Sequence, residues 1–320
     1  MDIIIEMHIK AILFGVDETV INNLDIGNDY CIKKDTLINQ ALYQEFDYQA
    51  INFRRMYDSA KLNDQLEIAV LSKKYKKKYI ATIKDGKIYF YENKELSELI
   101  FELEEQEITY IDKKMRAIRL YNENGYNIKE LLINTKFIYE NNDKITYNSR
   151  IPFPDRLPIT ITKLSLKNEH EIKCINKYLE KFDFEFKTSQ YKPEILESAC
   201  SLYDQSYYAP VDTLKFMVCV IGLESLLVDG NTELSYRLSR NCAMLLSDNI
   251  EQYNKLFLKT KEIYNKRSQF VHTGKIKNFT ADDILDARSM LRKVIFKIIE
   301  LNERKEDLLK KLDLKGYIMK

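Results

Sequence analysis

Ile3, Ile5, Met7 and Ile9 recur at every second position, which predicts an opening strand with one buried face. Residues 79–91 hold two β-prone runs around Asp85-Gly86, a hairpin signature. A helix is expected over Lys94–Glu105, with further strands around Ala117–Tyr121, Phe137–Tyr139 and Thr160–Leu164. Between them, residues 151–158 carry three of the chain's five prolines, so this stretch reads as extended and close to a domain boundary. The order of the strands in a sheet is not legible.

From Pro193 the period changes to that of helices. One is expected from Pro193 to about Tyr207, and an apolar one from Pro210 to Val228, broken by Asp229-Gly230-Asn231. Thr232 is the expected N-cap of the next, whose Leu234, Leu238, Cys242 and Leu245 form a stripe. Asp248 or Asn249 caps a long helix with Tyr253, Leu256, Phe257, Thr260, Ile263 and Tyr264 on one face, and Gly274 stops it. Thr280 with Asp283 starts a helix to about Asn302, and Glu303–Lys315 is charged and helical. The expected class is α+β: a β-rich domain over 1–165, a connecting segment over 166–192, and a helical bundle over 193–320.

Composition narrows the function classes. Lys and Arg number 50 against 49 Asp and Glu, so any basic surface is local. Five cysteines lie scattered with no C-x-x-C or Cys/His pairing, which argues against zinc and disulfides and for reduced cytoplasmic thiols. No stretch reaches the length of a membrane span, and the eight glycines form neither a dinucleotide nor a nucleotide-phosphate loop. No cofactor and no metal is expected. Lys73–Tyr79 packs five lysines with two tyrosines, a phosphate-holding pattern or a solvated turn before a strand. His8 and His170 read as structural or exposed.

The candidate chemistry gathers at the end of the long helix. Arg267 falls on its core-facing stripe, and a guanidinium there needs an acid, a phosphate or a second subunit against it. Glu224 is nearly alone as a charge in its apolar helix, so it is a candidate partner for Arg267, Arg237 or Arg240. His272 stands in or just after the last turn, where the helix dipole favours a cation. Five residues separate it from Arg267, about 140° around the axis and about 7.5 Å along it. One chain aims the two poorly at a single phosphate; two helices about a twofold axis bring both pairs to one cleft. Residues 251–277 carry seven Lys and Arg against two Glu, an excess that draws a polyanion.

The Arg267-Ser-Gln-Phe-Val-His272 spacing resembles the R-x4-6-H motif of the HEPN superfamily, all-α domains that include metal-independent ribonucleases of bacterial defence and toxin systems. Residues 222–227 and 232–240 are similar to the helices preceding that motif in its ApeA-like branch, so the likeness covers about 190–305. The residue after the arginine, Ser268 here, is often Asn, Asp or His in active members. The resemblance implies a homodimer, through the helical domain, that cuts RNA, with tRNA among the candidates, in abortive infection. A phage-derived or partner-protein trigger goes with it.

In that reading His272 is general acid or base, and Arg267 neutralises the phosphate while the RNA's own 2′-hydroxyl attacks. DNA, lacking that hydroxyl, is excluded. Glu224 orients the arginine, Ser268 and Thr273 can bond the phosphate, and Lys266, Lys275 and Arg237 hold RNA. A noncatalytic module that dimerises or binds RNA or a partner protein is the alternative. A Ser268–His272 hydrolase lacks both an acidic orienter and a nucleophile elbow.

Overall fold

The computed structural model describes residues 1–36, 67–85, 87–90, 94–123, 126–128, 130–140, 143–153, 163–230 and 232–318. The class is α+β, a sheet region followed by a run of helices, and the chain divides into two compact units. Among the described residues the division falls between Glu180 and Lys181.

The first unit is a sheet of β1 (Asp2–Phe14), β2 (Cys31–Thr36), β3 (Glu67–Ile80), β6 (Asn127–Ile128), β7 (Glu130–Tyr139) and β8 (Lys144–Pro152). Its order is β2-β3-β1-β7-β8, every pair antiparallel, with β6 paired to β1. The period-two pattern of β1 places Ile3, Ile5, Met7 and Ile9 on a fully covered face. Helix α1 (Leu96–Tyr121) covers that face: the row Lys73, Ile9, Ile133, Ser149 is gripped at both ends by its carboxylates. Lys73 pairs with Glu107 at 2.6 Å, and Ser149 bonds Glu104. A short hairpin, β4 (Thr82–Lys84) with β5 (Lys87–Tyr89), follows β3. The expected hairpin is thus present, although its first run is divided, Tyr79 and Ile80 ending β3. Gly86 lies outside the described residues.

Three expectations need correction. Ala117–Tyr121 is the last part of α1, not a strand. Its apolar residues continue the stripe Ile111, Met115, Ile118, and five residues are too few to tell period 2 from 3.6. The lysine run is no turn but part of β3. The segment over 166–192 is largely a helix, α2 (Glu169–Thr188), whose first half belongs to the first unit. There Asn176 bonds Asn23 O and Asp25 N, while Lys114 caps the Leu179 carbonyl at 2.6 Å. Residues 160–162 lie outside the described residues; Leu164 forms a single parallel bridge with Val16.

The second unit holds α3 (Pro193–Gln205), α4 (Asp212–Leu227), α5 (Leu234–Leu246), α6 (Ile250–Thr273), α7 (Ala281–Leu301) and α8 (Lys305–Ile318). Helix α4 is the hub, packed against α3, α5, α6 and α7. Gly222 lets α7 close on it, since a Cβ there would stand 2.9 Å from Leu291 Cδ2. Its last carbonyls are all taken by side chains from elsewhere. Lys305 Nζ donates to Ser225 O at 2.9 Å and Val228 O at 3.2 Å, Tyr191 to Leu226 O, and Asn241 to Leu227 O at 2.8 Å. Thr232 is not the cap of α5: the chain enters through Glu233 in the left-handed region, φ 52°, one residue later. Among the described residues no helix is long and apolar enough to cross a membrane.

Candidate functional site

Helix α6 is defined at both ends by groups the sequence announces. Asn249 Oδ1 accepts from Gln252 N at 2.9 Å, and Gly274, at φ 69°, returns its N–H to Phe270 O at 2.8 Å. Thr260, Ile263 and Tyr264 are its buried stripe. Arg267 continues the stripe where it meets the surface, with 24% of its side chain exposed.

There it meets Glu224 of α4. Arg267 Nε lies 3.1 Å from Glu224 Oε1, and Nη2 donates to Oε2 at 3.3 Å. Only the second contact has the angle of a hydrogen bond, which leaves Nε and Oε1 in ionic contact alone. The guanidinium also lies 5.7 Å from the Tyr264 ring centre. Burial pushes the Glu224 carboxyl above the usual glutamate range, and Arg267 only partly offsets it. Of the three arginines considered for Glu224, Arg267 is the one that pairs with it. Arg240 instead bonds Asp313 and the Leu312 carbonyl of α8, and half-exposed Arg237 lies beside Gly230.

His272 is exposed in the last turn of α6. Because α6 is unbroken from Ile250 to Thr273, the spacing of about 140° and about 7.5 Å from Arg267 holds. A single chain therefore does not bring the two together. His272 instead shares a face with Asn265, seven residues back. Asn265 lines a groove of about 420 Å³ with Leu258, Lys261, Glu262, Lys266, Gln269 and Lys277. Neither His272 nor Arg267 lines it; by helix geometry it lies on the histidine's side of α6.

The remaining candidates divide. Ser268 is half-exposed, and Lys275 is exposed. Thr273 is committed to the helix end: its Oγ1 lies 2.8 Å from Gln269 O and 2.9 Å from Lys275 O. Lys266 is held by Asp283 at 2.5 Å and Glu262 at 3.0 Å. Burial opposes its charge, but the two carboxylates outweigh burial and hold the ammonium above the usual lysine range. Asp283 is likewise penalised by burial, yet Lys266 and the Thr280 N–H keep its carboxyl below the usual range. Lys266 thus serves chiefly to lock α6 onto α7.

Sequence reasoning missed Lys261, Asn265 and Gln269 as groove residues. Their four-residue spacing on one face was the available signal. No group of His, Cys, Asp and Glu suited to a metal ion occurs among the described residues. Compared with known proteins, the chain matches no protein-family model, no curated protein and no solved structure.

Proposed function

We propose that this chain is a metal-independent endoribonuclease of the HEPN type, acting as a cytoplasmic homodimer in antiphage defence. The observation that carries the reading is the fixed relation of Arg267 to His272. The arginine is set at the surface by Glu224, and the histidine is exposed on the last turn of the same unbroken helix. Their separation around the axis calls for a second α6, so that the arginine of one copy and the histidine of the other flank one phosphate.

In that cleft the RNA 2′-hydroxyl loses its proton to one imidazole and attacks the adjacent phosphorus. The bond to the 5′-oxygen breaks, the leaving oxygen takes a proton from the second imidazole, and Arg267 offsets charge on the nonbridging oxygens. The groove on the histidine's side of α6, where Lys261 and Lys277 stand beside Glu262, supports the reading by offering the strand a mildly basic approach.

The test is incubation of purified chain with total RNA, tRNA included, in the presence of a chelator, followed by mapping of the ends. Cyclic phosphate and 5′-hydroxyl ends, lost in Arg267→Ala and His272→Ala variants that stay folded and dimeric, support it. Intact RNA with a folded dimer, with and without phage infection as the trigger, defeats it. One observation favours a second reading: Arg267 already has a carboxylate, so the pair can be structural in a noncatalytic dimerisation or RNA-binding module.

A further inference from the structure

The open face of the first unit's sheet has no part in the chemistry above, yet it gathers cations. Alternation in β3 sends Lys73, Tyr75 and Tyr79 to the helix-covered side and Lys74, Lys76 and Lys78 to the other. Strand register then aligns three rows across the open side. Lys74, His8, Asn134 and Asn148 form one; Lys76, Glu6, Lys136 and Thr146 the next; Lys78, Ile4, Ile138 and Lys144 the third.

Lys76 is paired with Glu6 at 2.6 Å, and Lys78 with Asp2. Lys74, Lys136 and Lys144 are in no close ion pair among the described residues, although the charges of Lys136 and Lys144 reach the Glu6 carboxylate. Glu6 is outnumbered: the hydrogen bond from Lys76, helped by the charges of Lys136 and Lys144, draws its carboxyl below the usual range. A cavity of about 290 Å³ opens in the middle of this field, lined by His8, Lys74, Lys76, Asn134 and Lys136 among others.

We propose that this face is a docking surface for the phosphate backbone of single-stranded RNA, distinct from the α6 groove. Lysines two apart on a strand repeat at about 6.8 Å, on the scale of the step between successive phosphates of an extended strand. A flexible backbone can meet ammonium groups so spaced, whereas a folded acidic protein needs its carboxylates fixed in register. The exposed Asn148 amide, held by Asn134 Nδ2 at 2.7 Å, is suited to a 2′-hydroxyl or a base edge. With the tyrosines of β3 on the other side, binding rests on charge more than stacking, so it carries little sequence preference and a steep salt dependence. The choice of RNA over DNA rests on the ribonuclease reading; the site itself does not.

The test uses the full chain carrying His272→Ala, so that RNA stays whole, and a short labelled single-stranded RNA of mixed sequence. Binding is measured over a salt series with and without the triple change Lys74→Gln, Lys136→Gln and Lys144→Gln, with thermal melts as the folding control. The expected result is at least a tenfold loss of affinity at low salt. The slope of log affinity against log salt falls by about 2, three contacts at about 0.7 each. Equal affinity and slope with an unchanged melt overturns the proposal, as does displacement of the RNA by poly-glutamate at equal charge. Cleavage by the chain with His272 intact is scored separately, so failure here leaves the ribonuclease reading standing. Charge-dependent binding without any cleavage does the reverse.

Discussion

Glu224 of α4 and Arg267 of α6 are joined by a two-contact ion pair, 3.1 Å and 3.3 Å, at the rim of the helical unit. Each side chain is about four-fifths covered, at 20% and 24% exposed. Neither is optional once the other is there. Removing Arg267 leaves a largely covered carboxylate without the cation that offsets its burial, which should cost about 1–3 kcal/mol. Glu224→Gln with Arg267→Met, which removes both charges, should recover most of that loss. Urea unfolding of the two single variants and the double one measures the coupling, and strict additivity would mean the pair is decorative.

The two buried carboxylates of the site respond to pH in opposite directions. Asp283 is depressed below its unfolded value, so its contribution is present above about pH 4 and is lost as pH falls through the folded value. Glu224 is raised, so its contribution is present in acid and is lost as pH rises through the folded value. Asp283→Asn should therefore destabilise most at neutral pH and least near pH 3, flattening the acid limb. Glu224→Gln should gain relative to wild type as pH rises above the ordinary glutamate value of about 4.3. Urea midpoints across pH 3–8 check both, and parallel curves for wild type and variants would refute the assignment.

The C-terminal end of α4, one turn beyond Glu224, depends on a lysine from another helix. Lys305 is 5% exposed, and its ammonium meets two carbonyls and the Asp229 carboxylate at 2.8 Å. It satisfies orphan acceptors and places a cation at the negative end of the helix. Lys305→Met keeps the apolar stem and strips the donors, and should cost about 1–3 kcal/mol. Thermal unfolding checks it. Lys305→Arg should retain part of the stability, since a guanidinium reaches the same carbonyls with a different fork.

How much of this was legible follows from which forces are local. The ends of α6 and α7 were readable because caps are short-range chemistry: Asn249, Gly274 and the Thr280–Asp283 box act within a few residues of themselves. The Arg267–Glu224 pair was readable as a need, since a charge on each of two apolar stripes wants a partner. What failed was set by distant packing. Ala117–Tyr121 has the residues of a strand, and only its stripe onto the sheet makes it helical. Lys266 looked available for phosphate because nothing in sequence shows that Asp283, seventeen residues on, closes over it. Lys305 and Tyr191 are buried caps of α4 that no local pattern announces. The basic open face of the sheet was hidden in a lysine run whose halves go to opposite sides, a division visible only with the register known.

Gly274 offers a way to disturb the motif's geometry without touching its charges. Its φ of 69° lies where a side chain is strained, and nothing stands within 4 Å of an added Cβ, so the penalty is purely conformational. Gly274→Ala should cost about 1 kcal/mol, while Gly274→Asn should cost less because asparagine tolerates the left-handed region. The loss should appear at the end of α6, where Thr273 and Gln269 lace the following loop back to the helix. Amide exchange at residues 270–277 should rise in the alanine variant and stay near wild type in the asparagine variant. If His272 works from a fixed position, RNA cleavage should fall in the same order, alanine below asparagine below wild type. Cleavage that ignores that order would show that the histidine does not act from the helix end.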